Sequence, residues 1–118
     1  MKNKILLVED TFTILKMAEF RLKKADFEVI TAQSGEGALE AVNKDRPDLI
    51  LLDYGLPGID GSEVCRRLKS DERFKAIPVI IFTATVENLK TVKEFGADDG
   101  IAKPYEPEEL IAKIKKYL

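Results

Sequence analysis

The sequence predicts a doubly wound α/β domain in which five strands alternate with five helices around one parallel sheet. Three observations predict it. Short runs of Ile, Leu, Val and Phe recur at a regular interval without polar alternation, as strands covered on both faces require. The stretches between these runs repeat apolar residues at helical spacing. Capping and breaking residues fall at the joints between the two kinds of segment.

In chain order, KILLVED (4–10) reads as the first strand, and a helix follows with Leu15, Ala18, Leu22 and Ala25 on one face. FEVITA (27–32) is the second strand. Ser34 suits the N-cap of the next helix, whose inner face carries Leu39 and Val42. DLILLD (48–53) precedes a helix marked by Val64 and Leu68. PVIIFT (78–83) precedes one marked by Leu89 and Val92, with Gly96 as its stop. GIAK (100–103) is the weakest strand. Pro107 fits the first turn of a last helix bearing Leu110, Ile111, Ile114 and Leu118. Such alternation implies right-handed crossovers and helices on both faces of the sheet. With no repeat, linker or low-complexity tract, residues 1–118 are expected to form one domain.

Composition narrows the chemistry. At 118 residues, 45% hydrophobic and 34% charged, the chain has the profile of a globular domain. A net charge of -2 with dispersed Lys and Arg gives no footprint for direct nucleic-acid binding. No apolar run approaches the roughly 20 residues that span a bilayer, and MKNKILLVED is too short in its apolar part to be a signal peptide. One cysteine, Cys65, rules out an internal disulfide and suits a reducing cytosol, so a cytoplasmic location is expected. Beside Val64 on a helix face, Cys65 reads as packing. The absence of histidine removes Ser-His and Cys-His nucleophile pairs and the usual zinc ligands. RRLK (66–69) and KIKK (113–116) read as solvated faces that favour helix ends.

In doubly wound sheets the ligand crevice lies beyond the carboxyl ends of the strands. Those ends are Glu9-Asp10, Thr31-Ala32, Asp53, Thr83 and Lys103-Pro104. The second adds nothing evident. The others bring three carboxylates, a hydroxyl and an ammonium to one rim. A hard divalent cation relieves the repulsion among the acids, and Mg²⁺ characteristically takes one or two carboxylates plus waters and phosphate oxygens. Lys103 suits a phosphoryl group and Thr83 can donate to its oxygens. Asp53 can then act as a carboxylate nucleophile toward phosphorus. Gly55 leaves a backbone carbonyl unshielded near the metal. Singly, each residue has a plainer reading: Glu9 and Asp10 as helix caps, Asp53 as an Asx-turn, Thr83 as a strand end, Lys103 as a solvated lysine. Their convergence is what argues for a site.

LLVED, LILLDYGLPGIDG, PVIIFTA, GADDGIAKP and PEEL, in this order, resemble the receiver domain of two-component response regulators of the chemotaxis type, along the whole chain. The resemblance implies a flavodoxin-like fold with strand order 2-1-3-4-5. It implies Asp53 as phosphoacceptor, with Glu9, Asp10, Asp53 and the Gly55 carbonyl holding Mg²⁺, or Mn²⁺ in its place. Lys103 would contact the phosphoryl group, ahead of a cis bond to Pro104. Thr83 would be the switch hydroxyl, followed by the small Ala84. The implied function is a phosphorylation-controlled signalling switch rather than an enzyme. Its phosphoryl donor would be a sensor histidine kinase or histidine phosphotransfer protein. Its output would be a downstream protein target, or a domain absent from this chain. No membrane partner is implied.

One departure stands out. Receivers usually carry Tyr or Phe three residues before the lysine, and here that position is Gly100; Tyr105 does not fill the slot. This favours, as the alternative, a receiver-like protein-binding module that works without phosphorylation. Neither Gly55 nor Thr85, the positions that tune acyl-phosphate lifetime in the family, offers an acid or amide, so slow self-dephosphorylation is expected. An aspartyl phosphatase would place a second acid at position 55. A flavin-binding protein would need a phosphate loop richer in Ser, Thr and Gly than EDTFT.

Overall fold

The computed structural model describes residues 2–84 and 91–118; Thr85 and Leu89 lie outside the described residues. Strands β1 (Lys4–Val8), β2 (Glu28–Ala32), β3 (Leu49–Asp53), β4 (Val79–Thr83) and β5 (Asp99–Ala102) form a parallel sheet in the order β2-β1-β3-β4-β5. Among the described residues the helices are α1 (Phe12–Lys24), α2 (Gly35–Lys44), α3 (Gly61–Lys69), a 3₁₀ turn at Val92–Phe95, and a C-terminal helix at Pro107–Lys116.

In β1, β3 and β4 the unbroken apolar runs have the cause inferred for them, burial on both faces, whereas in the edge strand β2 Glu28 is exposed and Val29, Ile30 and Thr31 are only half-buried. Alternate residues of each central strand enter different cores. Ile5, Leu7, Leu49, Leu51, Ile80, Phe82 and Ile101 meet α1 and the C-terminal helix through Leu15, Leu22, Leu110 and Ile114. Leu6, Val8, Ile50, Leu52, Val79 and Ile81 meet α2 and α3 through Ala38, Val42, Val64 and Leu68. Cys65 is fully buried in this second core. Ser34 caps α2, its hydroxyl accepting from the Gly37 amide at 3.0 Å. Pro107 occupies the first turn of the C-terminal helix.

Three details differ from the sequence reading. Leu118 is 45% exposed, because the C-terminal helix ends at Lys116 and leaves it beyond the core. Lys69 is not a freely solvated side chain: its ammonium bonds the carbonyls of Lys75 and Ile77 and the Asp98 carboxylate. Lys113 likewise turns inward, to Asp99 and the Gly100 carbonyl.

Candidate functional site

Register sets the site. Val8 lies level with Leu52 and Phe82 with Asp53, so one residue past the end of β1 puts Glu9 level with Asp53. Thr83 pairs with Ala102, and Lys103 follows directly, its amide donating to the Thr83 carbonyl at 2.8 Å. Side chains alternate along a strand. Glu9, Asp53 and Lys103 therefore continue the rows that face α1 and the C-terminal helix, where Leu7, Leu51 and Ile101 lie. Three strands deliver three ionisable groups to one side of the rim.

Ligand oxygens of Glu9, Asp10 and Asp53 all lie within 4.8 Å of one another. Glu9 and Asp53 are buried, whereas Asp10 is exposed at the mouth. The Lys103 ammonium does not stand apart awaiting an anion. It lies 3.0 Å from Glu9 Oε1 and 3.3 Å from Asp53 Oδ1, and 5.5 Å from the centre of the Phe82 ring. Burial disfavours its charged form. The hydrogen bond to Glu9 and the two carboxylate charges outweigh that, and hold the ammonium above the usual lysine value. One lysine against three acids leaves the cluster net negative. Such an arrangement suits a hard cation with oxygen ligands.

The remaining predicted residues fall around this cluster. Thr83 is buried at the end of β4, and Ala84 follows it, exposed. Gly55 is exposed, and a side chain there would meet nothing within 4 Å, so space is open beside its backbone; its amide points to Asp53 Oδ1 at 3.4 Å. The Lys103–Pro104 bond is cis. Gly100 is buried in β5, level with Ile81. Tyr105 stacks on Phe82, ring centres 5.9 Å apart.

One contribution escaped the sequence reading. The second strand does serve the site: the Ala32 carbonyl accepts from the Glu9 amide at 3.1 Å. The plainer reading of Glu9 as a helix cap also holds, its Oε2 accepting from the Thr11 amide at 3.1 Å at the entry to α1, where Thr11 itself gives no side-chain cap. Gly61 closes the loop after β3 tightly. A Cβ at this position would sit 2.4 Å from the Asp53 carbonyl oxygen and 2.9 Å from Tyr54 Cα.

A parallel sheet of this order, with an acidic cluster and a lysine at its carboxyl rim, defines a flavodoxin-like α/β domain. Comparison with known proteins places it more closely. The model of the response regulator receiver domain matches residues 5–115, and the chain belongs to that family. It is 39% identical to the alkaline phosphatase synthesis transcriptional regulatory protein PhoP of Bacillus subtilis, over its whole length and 49% of PhoP. The chain thus spans about half the length of the curated relatives it matches. Among solved structures, the chemotaxis response regulator CheY4 of Vibrio cholerae superimposes with a TM-score of 0.93 at 30% identity, covering 100% of both chains. The receiver domain of the sensor histidine kinase PA1611 of Pseudomonas aeruginosa gives 0.91 at 28% identity, covering 99% of this chain and 98% of the other; its active-site cleft coordinates a magnesium ion.

Proposed function

We propose that this receiver is a phosphorylation-controlled switch with Asp53 as its phosphoacceptor. One observation carries the reading: the Asp53 carboxylate sits within 4.8 Å of the Glu9 and Asp10 carboxylates and 3.3 Å from the Lys103 ammonium. An Asp53 oxygen attacks phosphorus in line; a phosphorus–oxygen bond forms and the bond to the donor's nitrogen breaks. Lys103 follows the charge from the free carboxylate to the phosphoryl oxygens. Thr83 donates its hydroxyl to those oxygens, with Ala84 leaving room beside it. Glu9, Asp10, Asp53 and the Gly55 carbonyl would hold Mg²⁺, or Mn²⁺ in its place, which supplies charge compensation for the transferring group. The magnesium ion in the PA1611 receiver supports that choice.

The chain has no histidine, so the phosphoryl group comes from outside, from a sensor histidine kinase or a histidine phosphotransfer protein. Among the described residues, Phe12, Ile14, Met17 and Phe20 are exposed on α1, which starts beside Glu9 and Asp10. A donor seated there reaches Asp53. The domain spans 1–118 and acts in the cytoplasm as a switch rather than an enzyme. Its new charge, about 1.5 to 2 units negative, biases a two-state equilibrium read by a protein target or by an output domain outside this chain. The half-length match to PhoP fits the second of these. Gly55 carries no side chain to orient an attacking water, which favours a long-lived acyl phosphate. Gly100, buried without a ring in β5, favours a second reading: a binding module that signals without phosphorylation.

Intact mass after incubation with acetyl phosphate separates the two. The switch gains one phosphoryl adduct in Mg²⁺ and none in EDTA. A mass unchanged in both, alongside retained capture of a kinase or target, would favour the binding module.

A further inference from the structure

The loop from Tyr54 to Asp60 hangs from the phosphoacceptor strand and carries Gly55. Its base closes on itself, the Gly61 amide donating to the Tyr54 carbonyl at 3.0 Å. Its far side is held by another element, the first turn of α2. A Cβ built on Gly35 would lie 2.5 Å from the Ile59 carbonyl oxygen, 2.6 Å from Ile59 Cγ1 and 2.8 Å from Val64 Cγ2. Gly58, at φ +72°, faces the next residue of the same turn: a Cβ there would meet Glu36 Oε2 at 2.8 Å. The α2 turn and the loop are therefore in close contact at two successive residues on each side.

We propose that Gly35 is a positioning residue for the acidic site. Its bare Cα lets α2 seat against Ile59, and that contact fixes the loop carrying Gly55 on the rim beside Asp53. The inference rests on the reading of Glu9, Asp10, Asp53 and Gly55 as the magnesium ligands. The nearest obstacle to a larger residue is a backbone oxygen, which cannot rotate away as a side-chain tip can. A methyl at position 35 must therefore displace the loop or lift α2. Groups that orient metal ligands from behind typically tune metal affinity by one to two orders of magnitude.

Gly37 provides the control within the same helix. A Cβ there meets the Ser34 hydroxyl at 3.1 Å and Ala32 Cβ at 3.7 Å, and nothing in the loop. The experiment is calorimetric titration of Mg²⁺ into the intact chain and into Gly35→Ala, Gly37→Ala, Ile59→Ala and Asp10→Asn, each first shown to be folded by circular dichroism. Gly35→Ala is expected to bind Mg²⁺ roughly tenfold more weakly. Ile59→Ala, which removes the supporting side chain without adding bulk, is expected to shift the same way by less. Gly37→Ala should match the parent. If Gly35→Ala does not fold, the Ile59→Ala result decides. Parent-like affinity in Gly35→Ala, or in Ile59→Ala where it stands in, would overturn the positioning role while weak binding by Asp10→Asn upheld the metal site. Parent-like binding by Asp10→Asn, or none by the parent, would instead remove the site reading, and the inference with it.

Discussion

Replacing Asp10 with asparagine should stabilise the protein when divalent cations are withheld. Asp10 shares its site with two carboxylates whose oxygens lie within 4.8 Å, while Lys103 pairs with Glu9 and Asp53. Two unit charges at that separation repel by ~0.9 kcal/mol at the dielectric constant of water and ~3.5 kcal/mol at an effective value of 20. Asp10 is exposed, so the lower figure governs, and the lysine offsets part of the field of its two neighbours. Removing the charge should therefore gain about 1 kcal/mol. An unfolding entropy of about 2.1 cal/mol/K per residue turns that into roughly 4 °C for a 118-residue chain. Thermal unfolding followed by circular dichroism in EDTA measures it. Excess Mg²⁺ should raise the parent by mass action, since the ion binds the folded site alone. The neutral amide in Asp10→Asn is a weaker ligand than the carboxylate, so the variant's advantage should shrink or reverse. A variant less stable than the parent in EDTA would refute the electrostatic reasoning. So would a variant that gains as much from Mg²⁺ as the parent does.

Other consequences concern the frame around the site. Lys69→Met should cost roughly 2 kcal/mol in urea unfolding, the scale for hydrogen bonds to a charged group, because its ammonium bonds Ile77 and Asp98 at 2.8 Å each. Burial pushes the Cys65 thiol up to about 11, so thiol reagents at pH 8 should label it only as the fold opens. Rapid stoichiometric labelling of the native protein would contradict its placement. Burial works to raise the Asp99 carboxyl, but bonds from the Gly100 amide, Tyr117 and Lys113 outweigh it and hold the group below the usual range. A depressed value stabilises the fold above the unfolded-state value of ~3.9 and loses that contribution as pH falls through the native one. Asp99→Asn should flatten the stability profile below about pH 4. The acyl phosphate itself should outlast one with an acid or amide at position 55, as its decay after donor removal would show.

Much of this architecture is legible in one dimension because it follows from local rules. LILLD and VIIFT read as strands buried on both faces, and they are. The rim residues were legible for a topological reason: parallel strands all end on one side, so whatever follows them converges. The pairing of Lys103 with Glu9, from opposite ends of the chain, was not, since it depends on where a long side chain comes to rest. Lys69 is illegible for the same reason; its helical spacing reads as surface, yet the oxygens of Lys75, Ile77 and Asp98 draw it inward. Gly35 was silent because a missing side chain shows its purpose only when the surface it meets is known. Edge strand β2 serves the rim through a backbone carbonyl, to which sequence pattern is blind.

The most direct test of the central claim locates the phosphoryl group. The protein is phosphorylated with acetyl phosphate in Mg²⁺, reduced with borohydride to convert an acyl phosphate to homoserine, and mapped by peptide mass, with Asp53→Asn alongside. Homoserine at position 53 of the parent, and an unmodified variant, is the predicted result. An adduct elsewhere, or one that persists in Asp53→Asn, would contradict the account.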